Sequence, residues 1–175
     1  MSIRRMGQDV SIRMSVASAN AASQLASQGM RLYPKPDVEV PRIKVGMDLT
    51  SLDDEGLMAL YVQLTAWADY LSGQAACAGI DEKAADSQVE LAEAKAFANN
   101  WGGKSADRIH SVKAQVSLDD GVVAAREEHA RCYAYRKLVD VIAGNVERDS
   151  ALVSREITRR TGSRSNTTSS FRRNA

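Results

Sequence analysis

Residues 117–160 read SLDDGVVAAREEHARCYAYRKLVDVIAGNVERDSALVSREITRR, and no proline interrupts them or anything else after Val45. Leu118, Val122, Ala125, His129, Cys132, Val139, Ala143, Val146, Val153 and Ile157 fall on one heptad-like stripe. Val123, Ala130, Ala134, Leu138, Val141 and Leu152 widen it. Ser117-Leu-Asp-Asp120 has the form of a capping box and is expected to open the helix. A helix of this extent would be roughly 60 Å long at 1.5 Å per residue. A compact domain of this size does not need such a rod, whereas a hairpin of two long helices packed in an oligomer does.

Working back along the chain, Ser51-Leu-Asp-Asp54 repeats the capping-box form, with its acids suited to the positive end of a helix dipole. Leu57, Leu60, Tyr61, Leu64, Trp67, Ala68, Leu71, Ala75 and Ala78 then follow at steps of three and four, and the stripe resumes through Ile80, Ala84, Leu91, Ala94 and Ala98. Gly73 and Gly79 each cost a helix about 1 kcal/mol relative to Ala, so a kink or the close approach of another helix is expected there. Asn99-Asn-Trp-Gly-Gly-Lys104 ends the pattern with residues that tolerate left-handed backbone. The pattern over 106–115 fits either an extended segment or a short helix. Upstream, Leu32-Tyr-Pro-Lys-Pro36 and Pro41 keep 31–46 extended, a linker or a strap on a helical surface. A weak helix is expected around Val16–Ala26.

The sequence therefore predicts a mostly α protein: a long helical hairpin (51–98 and 117–160) with an extended N-terminal arm, oligomeric in solution. Residues 1–46 form the arm and strap, 47–161 the helical domain, and 162–175 a basic Ser/Thr-rich tail. Aromatics make up 5% of the chain, so the core consists of thin Ala/Leu/Val seams, which often need a second chain to bury enough apolar surface. Seven basic against three acidic residues in 1–46 give +4, nine against sixteen in 47–146 give −7, and seven against three in 147–175 give +4. An acidic body with basic ends suits a chain that touches nucleic acid or its own copies, and it also suits solvated tails. There is no apolar run of eighteen residues and no apolar segment of the kind that directs secretion, so a cytoplasmic protein without membrane contact is expected.

His110 and His129 lie far apart with no metal-ligand spacing around them, and Cys77 and Cys132 are isolated on Ala-rich faces, where they read as small core residues. No cofactor or catalytic set is implied. Gly103-Lys104-Ser105 has the tail of a phosphate-binding loop, but Phe97 or Ala98 stands where its first glycine belongs, and a helix precedes it instead of a strand. Two features point toward polyanions. Trp101 and Lys104 place a stacking face and a cation in one loop, as single-stranded nucleic acid uses, or else Trp101 staples the turn onto the helices. Arg148, Arg155 and Arg159 share a helical face beside Arg160, a ridge for phosphates or a solvated helix end favoured by the dipole.

The order of features adds a further reading. A capped helix carries Trp67-Ala-Asp-Tyr-Leu71, and Ala94-Lys95-Ala96 precedes Trp101-Gly102-Gly103. Val112-Lys-Ala-Gln-Val116 and Asp119-Asp-Gly-Val122 follow, and then comes a long Ala- and Leu-rich helix. Over about 48–160 this resembles the phage UvsY-like recombination mediator family. The resemblance implies a non-enzymatic accessory protein of homologous recombination. Such a protein forms rings, binds single-stranded DNA, and helps a recombinase displace the single-strand-binding protein, in the host cytoplasm if phage-encoded. The family's K-A-R run before the aromatic turn reads Lys95-Ala96-Phe97 here, so the lysine carries over and the arginine does not; Lys104, Arg108 and Lys113 are the cations that could compensate. The expected strand-binding residues are thus Lys95, Trp101, Lys104, Arg108 and Lys113, with Arg155, Arg159 and Arg160. The alternative is a structural, scaffolding or virion assembly protein that works through its helices and arm.

Overall fold

The computed structural model describes residues 15–43, 48–101 and 106–172. Among them there are four α-helices, one 3-10 turn and no strand: α1 Val16–Ser27, the 3-10 turn Leu49–Ser51, α2 Asp54–Asn100, α3 Ala106–Leu118 and α4 Asp120–Arg172. The protein is the expected helical hairpin. α2 and α4 run antiparallel, as their cross-links show: Asp54 meets Arg160 at 2.9 Å, Glu82 meets Arg136 at 2.9 Å, and Glu93 meets Arg126 at 2.7 Å.

Both long helices start later than the capping boxes suggested. Ser51 sits in the 3-10 turn, and Asp53 is the residue that caps α2, its Oδ1 accepting the Gly56 N–H at 2.8 Å. Ser117 closes α3, and Asp119 accepts the Gly121 and Val122 N–H groups at the start of α4. A carboxylate at the position nearest the first unpaired N–H groups satisfies them and also meets the positive end of the dipole, so Asp prevails over the upstream Ser. The segment whose pattern was undecided, 106–115, lies within α3. α4 continues past Arg160 and Gly162 as far as Arg172.

Packing is uneven along the hairpin. At one end Leu57, Leu64, Trp67 and Leu71 of α2 interlock with Val146 and Val153 of α4. At the other, Ala96 packs with Val112 and Val116 of α3 and Val122 of α4. Between them the buried residues are small, Cys77, Ala78 and Ala85 on α2 and Val139 on α4, the thin seam expected from an Ala-rich stripe. α2 stays helical through Gly73 and Gly79, and both are sites of close approach. Leu32 of the strap lies over Gly73, 3.5 Å from where a Cβ would stand, and the Arg136 side chain crosses Gly79.

The segment leading to the hairpin lies along it. Ser15 caps α1 and its hydroxyl also donates to Asp81 on α2. Just past α1 stands Gly29, whose φ of 80° lets Met30 N–H reach Leu25 O and Gly29 N–H reach Ala26 O, the paired closure that glycine permits. Beyond it the chain is neither helix nor strand as far as Ile43. Trp67 Nε1 donates to Val38 O at 3.1 Å, and Val40 and Ile43 pack on the Leu/Trp end of the core.

Candidate nucleic-acid interface

The turn end of the hairpin carries the aromatic and lysine residues singled out by sequence. α2 runs out where Asn100 Nδ2 bonds back to Ala96 O at 2.8 Å and Trp101 takes an extended backbone. The Trp101 ring tilts against Phe97, with centroids 5.2 Å apart, and is 46% exposed. One part of the ring packs on the helix, as a staple of the turn would, and the other faces solvent. Lys95 is exposed and lines an open cleft of about 330 Å³ between α2 and the start of α4, together with Asn99 and Asp119. Lys113 is exposed on α3, next to the buried Val112 that seats the helix. Arg108 lies in the first turn of α3, and Lys104 falls outside the described residues.

Arg155, Arg159 and Arg160 lie at the other end of the rod. Arg155 is some 50 Å along α4 from Val122, at 1.5 Å per residue. The eight residues thus form two groups at opposite ends of one chain, and the three arginines differ among themselves. Arg160 donates to five acceptors: Glu156 Oε1 at 2.8 Å, Asp54 Oδ1 at 2.9 Å, and the carbonyls of Leu52, Leu49 and Thr50 at 2.9, 3.1 and 3.2 Å. A guanidinium has five N–H donors. Every one is used, so Arg160 fastens α4 to the 3-10 turn and to the start of α2. Its fork has no donor left for a phosphate.

Glu156 is the hub of this latch. Glu156 is 9% exposed and its side chain accepts from Arg160 and, through both oxygens, from Arg159 Nε and Nη2 at 2.7 Å. The hydrogen bonds from Arg159 and then Arg160 hold its carboxyl down at about 2, and the same bonds raise both arginines. Arg155 is exposed and makes no ion pair among the described residues. Sequence reading counted these arginines as one ridge. The signal it passed over was Glu156, placed three and four residues before Arg159 and Arg160, at the spacing that pairs side chains on a helix.

Elsewhere the two thiols are held in their protonated form. Burial raises the Cys77 thiol, and burial followed by Glu128 raises Cys132, whose Sγ lies 3.6 Å from Glu128 Oε1. A thiol beside a carboxylate stays protonated, the reverse of an activated nucleophile. Among the described residues no three His, Cys, Asp or Glu converge on a metal position, and no helix is long and apolar enough to cross a membrane. No family model matches the chain, and no curated protein or solved structure matches it.

Proposed function

We propose that this chain is a non-enzymatic recombination mediator: a homo-oligomer that binds single-stranded DNA and assists recombinase loading against the single-strand-binding protein. The observation that carries the reading is the half-exposed Trp101 propped on Phe97, with exposed Lys95 six residues before it on α2 and exposed Lys113 on α3. A base stacks on the free part of the indole while the lysines contact flanking phosphates, a mode that tolerates any sequence. Phe97, which stands where the family it resembles has an arginine, contributes by fixing the Trp101 ring. α2 has eight acids against Lys83 and Lys95, so its length repels a phosphate backbone and leaves the turn end as the place of contact.

Fluorescence anisotropy with a labelled oligothymidylate tests this. Binding is expected at low salt and falls as salt rises. Trp101→Ala weakens it by about 5- to 150-fold, the range for one lost base stack. Lys95→Ala and Lys113→Ala each lower the salt slope by about 0.7. Absence of binding at low salt, or full binding by Trp101→Ala, refutes the reading.

A second reading, an assembly or scaffolding protein, is favoured by the same acidic α2, which suits the basic arm of a neighbouring protein chain. It gains if the protein binds no oligonucleotide and instead co-assembles with a basic protein.

A further inference from the structure

The outer face of α4 carries a pattern that the hairpin leaves unused. At strict steps of seven it presents Asp120, Glu127, Ala134, Val141, Arg148 and Arg155. These are two acids, two apolar residues and two arginines, in that order, and all six are exposed. On the same face Leu138 is 64% exposed and Val141 is 61% exposed, with Val123 and Leu152 partly so. This row lies opposite the seam formed by Val139, Val146 and Val153, so α2 cannot cover it. A seven-residue repeat on an α-helix winds slowly around it, and two such rows meet by supercoiling.

The charges on this face say what fits it. Arg126, Arg131, Arg136, Arg159 and Arg160 of α4 each have an acidic partner within the chain. Among the described side chains of α4, the arginines without one are Arg148, which bonds to the Asn145 amide, and Arg155. Asp120 and Glu127 likewise make no ion pair among the described residues. The acids and arginines are placed symmetrically about the point between Lys137 and Leu138. A second α4 running antiparallel across a two-fold axis at that point brings Glu127 to Arg148 of the second copy and Asp120 to its Arg155. It also brings Ala134 to Val141 and Val123 to Leu152. A two-fold contact of this kind repeats each pair twice. The same symmetry sets Leu138 opposite Lys137 of the second copy, and each Lys137 ammonium lies over its own Tyr133 ring, 5.4 Å from the centroid. A parallel pairing would set Glu127 on Glu127 and Arg148 on Arg148, which like-charge repulsion disfavours.

We propose that two copies of this chain pair antiparallel through the outer face of α4, with Glu127–Arg148 and Asp120–Arg155 ion pairs on either side of an apolar centre at Leu138 and Val141. This rests on the homo-oligomer part of the functional reading and not on DNA binding. The test is sedimentation analysis of the full chain without nucleic acid. Wild type is expected to sediment as a dimer or a multiple of one. Glu127→Arg and Arg148→Glu each set like charges together twice and are expected to weaken association about tenfold or more, with unchanged far-UV circular dichroism. The double variant Glu127→Arg/Arg148→Glu restores it. The two positions lie about 30 Å apart on one helix, so the rescue operates between copies. A monomer at every concentration tried, single swaps that associate like wild type, or a double swap that stays weak overturns the proposal. None of these outcomes depends on whether an oligonucleotide binds.

Discussion

Leu64→Ala is the sharpest probe of the packing that holds the two rods together. Leu64 is completely buried among Leu57, Trp67, Val146 and Val153, and the substitution removes three carbons from that site. At about 0.8 kcal/mol per buried carbon, transfer alone accounts for about 2.4 kcal/mol. Two stiff helices close only part of the resulting void, and buried Leu→Ala changes reach about 3–5 kcal/mol once the cavity is included. Leu91→Ala is the matched control: it makes the same chemical change on the same helix at a side chain that is 46% exposed, and is expected to cost under about 1 kcal/mol. Helix propensity differs little between Leu and Ala, so it cancels in the comparison. Urea unfolding followed by far-UV circular dichroism, at one fixed protein concentration, should show a midpoint lowered by about 1–5 M for Leu64→Ala, given slopes of about 1–3 kcal/mol/M. Equal losses for the two variants, or a loss under about 1 kcal/mol for Leu64→Ala, would show that the Leu/Trp end of the hairpin is not packed as described.

The Glu156 latch makes stability depend on acid. Its folded carboxyl titrates at about 2 against an ordinary 4.5, so its contribution is complete above pH 4.5 and is lost as pH falls through about 2. Thermal melts from pH 5 to pH 2 should show wild type losing stability more steeply than Glu156→Gln, and parallel curves would contradict the assignment. Trp67→Phe keeps an aromatic ring in the core but removes the pyrrole part of the indole and its Nε1 donation to Val38 O, the lost bond alone costing about 1 kcal/mol. Trypsin should then cut faster at Arg31 and Arg42 while the hairpin core survives, and an unchanged cutting rate would mean that this bond does not hold the strap.

Leu57, Leu64, Trp67 and Leu71 announced the buried face of α2 through their spacing, as did Val139, Val146 and Val153 for α4. Periodicity identifies an apolar stripe without saying which of its flanking rows meets the partner helix. For that reason Val123, Leu138, Val141 and Leu152, read as a widening of the α4 stripe, lie at least partly exposed. α3 was undecided because Val112 and Val116 are too few to set a period, and the packing of both against Ala96 and Val122 fixes the helix. The role of Arg160 is hidden from the sequence for a different reason. A run of arginines is visible in a sequence, but the three carbonyls that Arg160 binds belong to Leu49, Thr50 and Leu52, a hundred residues away, and backbone acceptors leave no trace in composition.

The split of the expected strand-binding residues between the two ends of the rod bears on how the two proposals fit together. Within one chain, Lys95, Trp101 and Lys113 stand at the turn, while Arg155 and Arg159 stand near the latch, too far away to share a short strand. Antiparallel pairing about the midpoint between Lys137 and Leu138 sets the turn end of one copy beside the latch end of the other, because it places Asp120 opposite Arg155. Arg155 is then occupied by that acid, and Arg159 remains held by Glu156. The strand therefore gains no open cation from these arginines at the junction. What it does gain is a local field. Asp119 and Asp120 at the start of α4 would otherwise oppose a phosphate approaching Trp101, and the arginines of the second copy offset them. If both proposals hold, the C-terminal arginines would serve DNA indirectly, by quenching acids beside the turn, and the direct phosphate contacts would fall to the lysines of α2 and α3.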